Sequence, residues 1–289
     1  MPLVAAAIAP HGFPVIPELG DDVEGGGTTP AQMRAMGELF RARGVEAVVL
    51  IGPHGIRVDG AFSIVDAARA AGTIHWKGRH VEANVPCDRV LIDAIAARGK
   101  DNLPVARVGF AGNRADQAVV PLDWGAMVPL WFLGHDQNVP GSGDVLADPP
   151  ERDSGPPTVL VVPSRSLPRE TMVEFGRMLA RVIADDPRPI GVIASCDWSH
   201  THREDGPYGW DAAAERVDGI VRSAIERNAL LELIDLPSAE VERAAIDGLW
   251  QTLILAGIQE VTPFALSLTS YEAPTYYGMI VATAAVGHG

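Results

Sequence analysis

Two copies of one tripeptide, Pro10-His11-Gly12 and Pro53-His54-Gly55, follow runs of small and β-branched residues, Leu3 to Ala9 and Ala47 to Ile51. A proline ahead of the histidine fixes the chain direction, and a glycine after it permits a sharp turn and close approach to a ligand. Imidazoles delivered from neighbouring strand ends, which run about 5 Å apart, can converge on one ion. One such histidine alone would more readily cap its strand by bonding a carbonyl. The repeat favours a shared ion.

A third apolar run, Ile190 to Ser195, leads into Cys196-Asp197-Trp198-Ser199-His200-Thr201-His202. An imidazole there titrates near neutral pH and suits proton transfer, which makes His200 the candidate acid/base. His202 is followed by Arg203, Glu204 and Asp205 and reads as part of a solvated loop. Asp197 reads equally as a group orienting a histidine and as a turn cap.

The fourth element lies late in the chain, where Asp247 interrupts the run Ala244-Ala245-Ile246-Asp247-Gly248-Leu249-Trp250, read as part of a long helix. A buried carboxylate must be neutralised, paired or bound to a cation. The bland alternative is solvent exposure or a bridge to Arg243, one turn earlier. Glu240, seven residues back, is roughly 10 Å away along a helix axis and too far to share an ion with Asp247. Asp247 ranks first as the ligand, and Glu242, in a more polar surround, ranks second.

Two histidines and one carboxylate with open positions form the facial triad suited to non-haem Fe(II) and O2. Closed structural zinc is disfavoured because Cys87 and Cys196 lack partners at ligand spacing. His200-Thr-His202 raises, weakly, a zinc hydrolase reading. Phosphate-loop, dinucleotide, H-E-x-x-H and G-x-S-x-G motifs do not occur.

These residues need a sheet to hold them. Leu3–Ala9, Ala47–Ile51, Thr158–Val162, Ile190–Ser195 and Met279–Val286 read as buried strands. Helices are expected from Thr29, which looks like a cap followed by Pro30, to about Gly44, and over Asp88–Arg98, Pro168–Ala184, Trp210–Leu233 and Ser238–Ala256. The alternation predicts an α/β fold: a single domain with a central, mostly buried mixed sheet flanked by helices. A Pro/Gly/Asp-rich stretch at about 136–157 reads as an insertion within that domain.

The 289 residues carry 23 Lys+Arg against 37 Asp+Glu, a net charge of −14. That balance, with no clustered basic run, argues against nucleic acid and anionic membranes as partners. The N-terminal apolar run lacks a basic lead-in and reads as a first strand, no apolar stretch reaches membrane-spanning length, and a cytoplasmic location is expected.

Ala-Ile-Ala-Pro-His11-Gly, Gly-Pro-His54-Gly, Pro-Leu-Asp123-Trp-Gly125-Ala-Met-Val-Pro129-Leu and Ser-Cys-Asp197-Trp-Ser-His200 together resemble the class III extradiol ring-cleavage dioxygenases. That family includes protocatechuate 4,5-dioxygenase catalytic subunits and 2-aminophenol 1,6-dioxygenase. The resemblance runs from residue 3 to about 285. It implies one catalytic α/β domain over 1–289 and mononuclear Fe(II) held by His11, His54 and a late carboxylate, matched best by Asp247. It places His200 in the acid/base position. The implied reaction inserts both atoms of O2 into the ring of a catechol or 2-aminophenol. The implied partners are that small aromatic substrate, O2 and further copies of the chain, with a small second subunit left open. Two positions depart from the pattern: Asp247 stands where the family usually has Glu, and Trp124 where many members have an active-site His. The related Memo proteins share the fold and some of these histidines without a demonstrated need for dioxygenase chemistry, so a metal-binding or partner-binding protein is the alternative.

Overall fold

A strand buried on both faces needs small or β-branched residues at nearly every position. In β1 (Leu3–Ala9), Leu3, Ala6 and Ile8 join one apolar layer while Ala5, Ala7 and Ala9 join the other. β2 (Ala47–Ile51) divides the same way, Ala47, Val49 and Ile51 against Val48 and Leu50. The computed structural model describes residues 2–21, 23–100, 102–109, 115–135 and 155–287. All but the last three residues of the expected 136–157 insertion lie outside that set.

The remaining strands are β3 (Phe62–Asp66), β4 (Arg69–Trp76), β5 (Arg79–Pro86), β6 (Val105–Gly109), β7 (Val119–Pro121), β8 (Thr158–Pro163), β9 (Ile190–Ser195), β10 (Ser267–Glu272) and β11 (Met279–Ala285). An eight-stranded sheet has the order β10-β11-β1-β9-β2-β8-β3-β6. Its centre, β1-β9-β2-β8, is parallel throughout. Antiparallel pairs with β11 on one side and β3 on the other make the sheet mixed, as expected. A smaller sheet, β5-β4-β7, turns on the hairpin Lys77-Gly78. Both turn residues have positive φ, 47° and 80°, the twist that two-residue hairpin loops favour.

Helices α1 (Thr29–Ala42), α2 (Arg89–Gly99), α3 (Trp124–Trp131), α4 (Arg169–Asp185), α5 (Ala213–Glu226), α6 (Ser238–Ala244) and α7 (Leu249–Val261) cover the large sheet. α2 and α4 to α7 pack on the Leu3 and Ile8 face; α1, α3 and the small sheet pack on the other. α4 and α7 approach closely because Gly176 and Gly257 face backbone carbonyls of the opposite helix, leaving no room for a Cβ. None of the described helices is long and apolar enough to cross a membrane.

Three expected helices need correction. The Trp210–Leu233 helix forms only over α5 and gives way at Asn228, which has a positive φ, to a short 3-10 turn at Leu230–Asp235. The Ser238–Ala256 helix is split into α6 and α7. Thr29 does not cap α1 with its own hydroxyl: Glu272, from β10, accepts hydrogen bonds from the Thr28 and Thr29 backbone amides and both threonine hydroxyls. A capping group supplied from 243 residues away leaves no local trace.

The four parallel strands end together at one edge, with Ala9 opposite Ser195, and Ile51 opposite both Ala194 and Val161. Loops at the carboxyl ends of such strands form the usual crevice of α/β sheets. Here they carry His11, Cys196–His202, His54 and Arg165.

Candidate metal centre

His11 leaves the end of β1 buried, 1% exposed. Its backbone N–H donates to Asp197 Oδ1 at 2.9 Å, and its Nδ1 lies 3.0 Å from Ser195 Oγ. The Ser195 hydroxyl spends its own proton on the Gly125 carbonyl, so it can only accept from His11. That chain puts a proton on Nδ1 and leaves Nε2, on the cleft side, as the nitrogen available to a metal ion. Gly12 has a steric role: a Cβ there would collide with the Tyr277 phenol ring, which would have to move to admit it.

His54 follows β2, and its ring meets His11 edge to face at 5.2 Å. Gly125 leaves space for it, since a Cβ there would stand 2.9 Å from the imidazole. Trp124, the first residue of α3, lies over the same ring at 4.3 Å. The residue that departs from the family pattern is therefore an indole flanking the site.

Asp247 is where the sequence reading and the structure differ most. It does not sit inside a helix. α6 stops at Ala245, which adopts a left-handed φ of 49°, and α7 begins only at Leu249. Gly248 then lies against Cys196 and the Asp197 carbonyl, leaving too little room for a Cβ. The break places Asp247 just ahead of the α7 N-terminus, whose dipole favours a carboxylate. Its Oδ2 lies 3.4 Å from His11 Nε2 and 3.9 Å from His54 Nε2, while Oδ1 is buried without any hydrogen-bond partner. Arg243 turns away, pairing with Asp211 and Glu240. Glu240 also pairs with Arg216, and Glu242 lies on the cleft wall.

The donor atoms of His11, His54 and Asp247 all lie within 4.8 Å of one another. Electrostatics set them for a cation. Burial works against a charged His11, but Asp197 and Asp247 overcome it and raise its pKa to about 9. Burial and the neighbouring His11 lower His54 to about 4, keeping it neutral with a free lone pair. Burial pushes Asp247 up, yet His11 outweighs it and holds the carboxyl below its usual value. Asp197, 3.5 Å from His11 Nε2, is raised by burial. Two sealed carboxylates around one imidazole, one oxygen lacking any partner, fit a divalent ion.

His200 reaches the same cleft outside this cluster. Its backbone N–H donates to the Ala244 carbonyl at 2.8 Å, tying the strand-end loop to the end of α6. Tyr208, Tyr276 and Tyr277 surround its ring at 5.7 to 5.9 Å. Its Nδ1 is buried without a partner, so Nε2 is the nitrogen left open to the cleft.

The solvated-loop reading of His202 is wrong. Its Nε2 lies 2.8 Å from Oδ2 of Asp218, a wholly buried carboxylate that also accepts from the Ser199 amide, the Ser199 hydroxyl and the Tyr271 hydroxyl. His202 is thereby committed to a structural network and does not join His200 in a zinc pair. The charged residues behind it misled, because the partner sits on a helix sixteen residues later.

The cleft holds about 800 Å3, within the range of small-molecule sites. Phe13, Trp76, Trp124, Trp250 and the tyrosines give it flat apolar walls, and Arg57 and Arg165 give it positive charge. The sequence reading passed over the arginines and aromatics. The available signal was position: Arg57 is three residues past His54, and Arg165 two past β8.

Comparison with known proteins agrees with this picture. In Clostridium acetobutylicum, Protein CA_C1420 is 22% identical over 269 residues, 92% of this chain and 54% of that protein, so the chain spans about half the relative's length. An uncharacterized protein of Escherichia coli K12, JW3007, shares the fold with a TM-score of 0.63 at 15% identity, over 98% of this chain and 100% of that one. Residues 6–282 match the family model described as the catalytic LigB subunit of aromatic ring-opening dioxygenase, and the chain belongs to that family, the class III extradiol dioxygenases.

Proposed function

We propose that the protein is a non-haem Fe(II)-dependent extradiol dioxygenase that opens the ring of a catechol or 2-aminophenol, with His11, His54 and Asp247 as its iron ligands. The observation that carries this reading is the convergence of two imidazoles and one carboxylate in a cleft of substrate size. Three protein ligands on one side leave positions open for substrate, the donor set of non-haem Fe(II) oxygen chemistry. When bound, iron supplies the electronic coupling between an electron-rich ring and O2 that neither has alone.

The chain's own residues do the rest. Ser195 fixes the His11 tautomer, and Asp197 holds the His11 backbone in place. Trp124 and Phe13, with ring centroids 6.0 Å apart, supply a wall for a planar ring, and Trp124 covers one face of His54. His200 takes a proton from the substrate hydroxyl at Nε2 and returns it later in the cycle, unencumbered by any competing hydrogen bond. The tyrosines around it limit its contact with bulk water.

The test is anaerobic loading with Fe(II), followed by O2 uptake on a panel of catechols and 2-aminophenols. Stoichiometric consumption of O2 and one substrate, with ring-opened product, is the expected result. Tight iron binding with no uptake across the panel would leave a metal-binding protein without ring cleavage.

A further inference from the structure

The chain has eight histidines, and His288 lies outside the described residues. His11, His54 and His200 belong to the cleft, His202 to the network behind it, and His135 Nε2 lies 3.1 Å from the Pro156 carbonyl. The remaining two, His75 and His80, face one another across the hairpin of the small sheet, one pair in from Trp76 and Arg79, which close the turn. Their ring centres are 5.5 Å apart and the ring planes differ by 31°. Both side chains are exposed, and neither makes a hydrogen bond to protein or an ion pair among the described residues.

The backbone sets this meeting. In a hairpin turned by two residues of positive φ, the closing pair is hydrogen-bonded and the next is of the non-hydrogen-bonded kind, in which facing side chains come closest. Alternation sends Ile74, Trp76 and Val81 to the inner face, where they join an apolar layer, and leaves Thr73, His75, His80 and Glu82 outside. A metal–nitrogen bond of about 2.0–2.1 Å puts an ion roughly 3 Å from a ring centre, so two rings 5.5 Å apart reach one ion with small side-chain rotations. Glu82, two residues from His80 on the same exposed face, has no basic partner within 4 Å among the described residues, so a cation approaching the pair meets a free carboxylate beside it.

We infer that His75 and His80 form a second, exterior metal site that takes a late first-row divalent ion, Cu(II), Ni(II) or Zn(II), through two imidazole nitrogens. Imidazole is a donor these ions favour, and Fe(II) stands low in the same affinity series, so a site with two protein ligands discriminates against the ion assigned to the cleft. No third His, Cys or carboxylate completes a cluster of three here among the described residues, so water fills the remaining positions. The bound ion links β4 to β5 across their outer face. Their inner face carries Trp76, whose ring meets Phe13 at 5.6 Å on the cleft wall, and the ion therefore staples the hairpin that holds this part of the wall. The site is independent of the ring-cleavage reading, because neither histidine lines the cleft.

The experiment titrates the metal-free chain with ZnCl2 and with CuCl2 by calorimetry, for wild type, His75→Ala, His80→Ala and the double variant. Both positions are exposed, so the variants should keep the wild-type urea midpoint without metal, measured alongside. Wild type should bind one more Zn(II), or one more Cu(II), per chain than the double variant. Each single variant should raise the dissociation constant of that extra ion by at least about tenfold, since losing even a group that merely orients a ligand costs that much. Anaerobic Fe(II) titration should be the same in wild type and the double variant. Equal stoichiometry and constants in wild type and the double variant overturn the inference, and so does a loss confined to one single variant, which would make the ligand one imidazole and not the pair. Weak uptake that persists unchanged in all three variants is an adventitious ion only and overturns it as well. Fe(II) binding lost in the double variant would tie the pair to the cleft and overturn a separate site.

Discussion

The hydrogen-bond chain Gly125 carbonyl, Ser195 hydroxyl, His11 Nδ1 shows why two tripeptides of identical sequence end in different states. His11 is sealed and oriented, whereas His54 keeps 26% of its side chain exposed beneath Trp124. The Pro-His-Gly repeat made both residues legible, because proline and glycine announce a strand end. Ser195 was not legible as a partner, since its role depends on Gly125 arriving from another part of the chain. Ser195→Ala should lower iron affinity by about 10- to 100-fold, the usual cost of losing a group that orients a ligand, as measured by anaerobic titration. An unchanged affinity would remove Ser195 from the site. His200 has the opposite character, a free ring among tyrosines. His200→Phe should retain iron and lower kcat by about 10²- to 10⁴-fold, measured as metal content and O2 uptake on one preparation. Loss of the iron would make His200 a ligand instead.

Among the elements, strands buried on both faces were the readable ones. Leu3–Ala9, Ala47–Ile51 and Ile190–Ser195 are visible because every position must be apolar or small. β4, β5 and β10 were not, since residues such as Thr73, Glu82 and Ser267 face solvent and blur the pattern. The break between α6 and α7 was hidden by the apolar residues on both sides of it, although Asp247-Gly248 is itself a turn signal. That break puts the carboxylate in the cleft, and the loop after β9 holds it there through the His200 amide and Ala244. Asp218 anchors that loop from α5 through Ser199 and His202. Asp218→Ala would strand four polar groups, the Ser199 amide and hydroxyl, His202 Nε2 and the Tyr271 hydroxyl, and it should cost about 3 to 5 kcal/mol in urea unfolding. A loss of less than about 1 kcal/mol would mean the network is dispensable.

At the scale of the molecule, the parallel centre of the sheet delivers four loops to one edge, and Asp247, the proposed third ligand, comes from the break between two helices packed over it. Asp197 and Asp247 are closed in together, and part of the fold's stability is held against their mutual repulsion. A cation bound only by the native state should therefore stabilise the whole chain, by about 2.7 kcal/mol at a free concentration one hundred times its dissociation constant. Unfolding midpoints with Fe(II) under anaerobic conditions and with excess chelator check this, and coincident curves would contradict it. The most direct measurement is anaerobic Fe(II) titration of wild type beside His11→Ala, His54→Ala, Asp247→Ala and Glu240→Ala. One iron per chain is expected in wild type and in Glu240→Ala, whose side chain is occupied by Arg216 and Arg243, with tight binding lost in the other three. Unchanged affinity in the two histidine variants, or a loss at Glu240 that equals the loss at Asp247, would contradict the assignment of this centre.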